Sequence, residues 1–130
     1  MTDATADARA DTHGDGDVLL ELASLLADSV PRLERAEGVG AERCLELVRA
    51  GVQTLEAAAR HCVGPADSPG ARDPEALRHW LHELRAPVTA IAGWVHMLDE
   101  VPPEATRVRA TEAIERNATR LSELLAHRPV

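Results

Sequence analysis

Aromatic side chains are almost missing: 130 residues include two Trp, no Phe and no Tyr. Any core must therefore be filled by Leu, Val, Ile and Ala. A chain rich in Ala, Glu, Arg and Leu with few β-branched runs points to helices, and to helix pairs in particular. No apolar stretch approaches the roughly 20 residues that cross a bilayer, and the N-terminus has no basic-then-apolar secretory signal. A cytoplasmic chain without a membrane partner is expected. Surplus positive charge is lacking too: the net charge of -8 argues against a nucleic-acid backbone or an anionic lipid surface as partner. Cys44 and Cys62 lack CxxC spacing, and each falls on the apolar side of a helical pattern. They read as buried free thiols rather than a disulfide or a metal site. No metal and no cofactor are expected.

Two stretches lack apolar periodicity. Residues 1–16, MTDATADARADTHGDG, are small and acidic and read as a disordered tail. Residues 63–73, VGPADSPGARD, are rich in Pro, Gly and Asp and read as a linker. They separate an N-terminal helical hairpin at 17–62 from a second hairpin at 74–127. In the second, Leu77, Leu81, Leu84, Val88, Ile91, Val95 and Leu98 recur at alternating spacings of four and three, the seam of a coiled-coil-like helix. Asp73 is placed to cap it, and Pro74 occupies the first helical position. The prolines of DEVPPE end that helix and start the next, whose seam is Thr111, Ile114, Ala118, Leu121 and Leu125. So short a connection makes the two helices antiparallel neighbours.

The first half repeats the scheme with Leu19, Leu22, Leu26, Ser29 and Leu33 on one seam. Leu45, Val48, Val52, Leu55, Ala59 and Cys62 form the other. Laid over the second half it behaves as a degenerate copy, with Leu20 where the second copy has His82, although Pro31 does not fall on Pro87. Neither hairpin can bury its stripe alone. The expected fold is all-α, two antiparallel hairpins forming a four-helix bundle. The bundle closes within one chain as a pseudo-dimer or between two chains as a homodimer.

One stretch resists a packing explanation. HELRAPVTAIAGW, residues 82–94, puts a histidine beside a glutamate, five residues before a mid-helix proline that should weaken the helix. With Leu81 and Leu84 on the seam, His82 lies one step off the core and faces water, and Glu83 is further round and exposed. That excludes a core histidine. An ordinary surface histidine remains, as does a metal ligand, for which His79 is the only candidate partner. The third reading is a nucleophile, because a neutral imidazole can take a phosphoryl group on a ring nitrogen.

The whole string LHELRAPVTAIAGWVHML resembles the H-box of the dimerisation and histidine-phosphotransfer (HisKA) domain of bacterial sensor histidine kinases. His82, Glu83, Leu84, Arg85 and Pro87 match its H-E-L-R-x-P pattern, and the resemblance spans residues 74–127. It implies that His82 is the phosphoacceptor. It also implies that Glu83 holds the proton of the opposite ring nitrogen and orients the imidazole, and that Pro87 bends the helix just beyond it. The family position associated with dephosphorylating the partner, three residues after the Glu, holds Ala86, so phosphatase activity of that kind is expected to be weak or absent. The family's ATP-binding domain has no counterpart here. The only Gly-rich stretch, HGDGD at 13–17, lies in the acidic tail and reads as flexible linker. The chain is therefore not expected to act as an autonomous ATP-dependent kinase.

The resemblance implies a two-component phosphorelay protein, partnered by a response-regulator receiver domain, a separate histidine kinase, or both. Arg85, Trp80 and Trp94 are candidate partner contacts, the two Trp lying two heptads apart on one stripe, with bundle-edge packing as their plainer role. A second reading keeps the H-box by descent in a non-catalytic helical protein that binds and sequesters a kinase or regulator. A third makes the chain one piece of a kinase whose ATP-binding domain lies on another polypeptide.

Overall fold

The computed structural model describes residues 16–38, 40–62 and 74–129, all helix, turn or short connection. The expected all-α class holds. Helix α1 covers residues 16–27, α2 Val30–Arg35, α3 Ala41–Cys62, α4 Pro74–Asp99 and α5 Glu104–Ala126. Most of the expected tail and the whole linker lie outside the described residues, as does Asp73, the expected cap of α4.

The first seam is carried by two helices rather than one. The chain turns at Asp28 and Ser29, and Pro31 then sits in the first turn of α2. A proline there would clash with the carbonyl four residues back if α1 continued, whereas in a first turn its missing N–H leaves no bond unmade. Pro87 meets the same restriction yet lies inside an unbroken α4, buried with Leu84 and Val88. Packing along a 26-residue helix offsets there what the shorter α1 and α2 do not.

All seven α4 seam residues and all five of α5 are buried. All but Thr111 join Leu19, Leu22, Leu26 and Leu33 from α1 and α2, and Val48 and Leu55 from α3, in a single apolar core. The α3 face is turned slightly from the expected one. Ala41, Cys44 and Ala58 are buried, while Leu45 and Val52 are only half-buried against the core. Small residues let α3 lie close: a Cβ on Gly51 would stand 3.1 Å from Leu26 Cδ2 and 3.3 Å from Leu121 Cδ2.

Cross-helix contacts fix the directions. The Trp80 indole N–H donates to the Leu124 carbonyl, so the start of α4 meets the end of α5 and the two run antiparallel. Gly40 lies against Thr111 and Gly51 against Leu121, so α3 and α5 run side by side in one sense, with Cys44 donating to the Thr111 carbonyl and Arg43 paired with Glu115. Arg32 meets His96 and Arg35 meets Asp99, which lays α2 along the last turns of α4. The reversal between α4 and α5 takes only residues 100–103, with Val101 at φ 52, a strained value for a β-branched residue.

Cys44 is a free thiol with no solvent exposure. Burial, and secondarily the Glu115 carboxylate, push it up from an ordinary 9.0 to about 11. The folded state thus holds the thiol proton more tightly than the unfolded chain. Stability from this group is full below pH 9, and it is lost as pH rises from about 9 to about 11, where only the unfolded thiol ionises. The sequence has no Lys and no Tyr, so little else titrates in that window. In a Cys62→Ser background, urea midpoints are expected to fall between pH 9 and pH 10.5, and a further Cys44→Ala change should flatten the profile. Native Cys44 should resist alkylation at pH 8 until the protein unfolds.

Candidate functional site

α4 displays the H-box through its helical period. Leu81 and Leu84 face the core, which leaves His82 on the water side, exposed and without a hydrogen bond or ion pair among the described residues. Glu83 departs from the expected position: its side chain is only 37% exposed and leans toward α5. Both oxygens are engaged, one 3.2 Å from His79 Nε2 and the other 3.7 Å from an Arg120 guanidinium nitrogen. Neighbouring residues on a helix point about 100° apart, whereas residues four apart share a face. In this arrangement Glu83 therefore meets His79 rather than His82.

The site is a short ladder across the α4–α5 seam: His79 and Glu83 on one helix, Arg120 on the other, with His82 beside it. All three ionic side chains are at least a third exposed, so the pairs contribute little to stability. They hold a carboxylate within one residue of a free imidazole. Beneath the ladder the seam is sealed by Trp80, Leu81 and Leu84.

The remaining expected site residues divide. Arg85 and Ala86 are exposed. Pro87 is buried, and α4 runs on through it. Trp80 takes the plainer packing role: it is 4% exposed and the only polar atom of its side chain is bonded to the Leu124 carbonyl. Trp94 is half-buried and packs against the core. The two indoles differ because a straight helix drifts about 20° per heptad from a 3.5-residue repeat, which turns Trp94 partly out. They also stand about 21 Å apart along the axis, so the two indoles do not form a single patch.

Two residues of the ladder had no site role in the sequence reading. His79 entered only as a metal partner, although its four-residue spacing from Glu83 was a signal for an ion pair. Arg120 was missed. The turn at residues 100–103 gives its position, since Glu83 and Arg120 are equidistant from it.

A family model described as the His Kinase A (phospho-acceptor) domain matches residues 75–127, which covers α5 and nearly all of α4. No curated protein and no solved structure matches the chain. Among the described residues no helix is long and apolar enough to cross a membrane.

Proposed function

We propose that His82 is the phosphoacceptor and exchanges a phosphoryl group with a response-regulator aspartate; the match of residues 75–127 to the His Kinase A (phospho-acceptor) domain supports a phosphoacceptor role in two-component signalling. The observation that carries this reading is the free imidazole: exposed and unbonded, one residue from a carboxylate. A ring nitrogen of neutral His82 attacks the phosphorus of an aspartyl phosphate. A P–N bond forms, the P–O bond to the aspartate breaks, and the carboxylate leaves with the electron pair. The opposite ring nitrogen then carries a proton on a cationic ring, and Glu83 accepts it once its side chain rotates from His79 toward His82. Return of the phosphoryl group runs the same steps backwards.

Arg85 and the exposed edge of Trp94 are the surface we assign to the partner. Because all four helical arms share one core in this chain, one bundle would carry one active histidine. Incubation of the full chain with a radiolabelled phospho-receiver, or with a kinase charged from ATP, tests the proposal. Acid-labile, alkali-stable label is expected on the chain and should vanish in His82→Gln, whose fold should be unchanged because the ring is exposed and makes no hydrogen bond or ion pair among the described residues. Label that survives in His82→Gln would overturn the assignment. A tight complex with no label in either protein would favour sequestration of the partner instead.

A further inference from the structure

We propose a second site: the pocket between α2 and the start of α5 binds a small, doubly charged oxyanion of the phosphate type. It lies at the far end of the molecule from His82, about 25 Å along α4, and stands or falls independently of the phosphoacceptor reading. Three guanidinium groups, those of Arg32, Arg35 and Arg107, line a pocket of about 270 Å³ whose apolar wall includes Leu98 and Pro102. Against them stand two carboxylates, Asp99 and Glu37. The local balance is positive in a chain with a net charge of -8.

The arginines are not equivalent. Arg35 is neutralised by Asp99 at 3.3 Å. Arg32 is half-buried and donates to His96 Nδ1 at 2.7 Å; an arginine can only donate, so that nitrogen accepts and the imidazole facing Arg32 is neutral. The other ring nitrogen of His96 faces Glu100 at 3.5 Å. Arg107 is half-buried, and its guanidinium has no hydrogen bond or ion pair among the described residues. Its stem lies against the loop at Gly38, where φ is +110 and a Cβ would stand 2.9 Å from Arg107 Cδ. That glycine is what admits the side chain. Glu37, the remaining acid, is exposed and pairs with neither arginine. Two partly desolvated guanidinium groups without a carboxylate therefore face one cavity, an arrangement that an incoming anion completes.

Size narrows the ligand. Pockets for nucleotide- or drug-sized molecules run from about 300 to 1,000 Å³, so this one suits a single phosphate group. The rigid donor fork of arginine matches phosphate oxygens two at a time.

The test is a titration of the full chain with inorganic phosphate at constant ionic strength, read from amide and arginine side-chain NMR signals. Saturable shifts are expected at Arg32, Arg107 and Gly38. Arg107→Gln and Arg32→Gln should each weaken binding roughly tenfold, Arg107→Lys should fall in between, and Arg116→Gln, on an exposed face elsewhere on α5, should change nothing. Glycerol phosphate run in parallel separates a free ion from a phosphate monoester; binding of either that is weakened in Arg107→Gln supports the site. Absence of saturable shifts, equal binding by Arg107→Gln, or an equal loss in Arg116→Gln overturns it.

Discussion

Replacing Glu83 by Gln is expected to slow phosphoryl uptake at His82 by about a hundredfold or more, with no measurable change in the fold. The expectation follows from which groups Glu83 touches. Its oxygens engage His79 and Arg120, both on the wet side of the seam, so the pairs it makes are screened and contribute little to stability. Along α4 no other carboxylate lies within one turn of His82, where residues 78, 79, 85 and 86 are Arg, His, Arg and Ala. Glutamine keeps the shape and can still donate to or accept from the neighbours, but it cannot take a proton. Single-turnover transfer from a phospho-receiver gives the rate, and circular dichroism melts give the stability. A Glu83→Gln protein that transfers within a few-fold of the parent would reduce Glu83 to a surface ion pair. Asp at this position should recover part of the rate, since it retains the base at a shorter reach.

The helix hosting this site was readable because its signals agree. In α4 the four-three spacing of Leu and Val, a proline at the first turn and a Pro-Pro stop all specify one element, and every seam position is buried. His82 was legible by elimination, since a residue between Leu81 and Leu84 on the polar side has to face water. The ladder was less so. Sequence spacing reports what shares a face along one helix, and it pairs His79 with Glu83. It does not report rotamers, which decide that Glu83 turns from His82 toward Arg120. Seeing Arg120 at all requires the register of α5 on α4, which only the compact turn supplies.

The N-terminal half was harder for a different reason. Its seams are diluted by small residues, and Ala, Gly and Cys carry little periodic signal. A face containing Ala41, Cys44, Gly51 and Ala58 packs as well as one of larger residues when a neighbour comes close. The reading followed the larger Leu45 and Val52, which are half-buried instead. The break at Asp28 and Ser29 was signalled by Pro31, but one proline does not say whether a helix breaks or is carried through. Tertiary packing decides that, and it decides differently at Pro31 and Pro87.

Trp80→Ala is expected to be among the most destabilising single substitutions in the chain, about 3–5 kcal/mol. Folded domains of this size are stable by only about 5–15 kcal/mol, so the variant should sit near its unfolding midpoint in little urea. The indole is the only large aromatic fully inside a core of Leu, Val, Ile and Ala, and no neighbour can expand to refill its space. Its N–H also joins α4 to the Leu124 carbonyl at 2.6 Å in the last turn of α5, where that oxygen otherwise accepts only from the capping His127 N–H. Trp80→Phe separates the two contributions. It keeps most of the apolar bulk and loses the hydrogen bond, so a smaller cost of about 1 kcal/mol is expected from that bond. Trp94 remains as the fluorescent reporter in both variants. Because Trp80 is sealed under the ladder, Trp80→Phe should leave partner affinity and phosphoryl transfer unchanged. A loss of affinity without a loss of stability would instead make Trp80 a docking residue, and would mean the seam opens when the partner arrives.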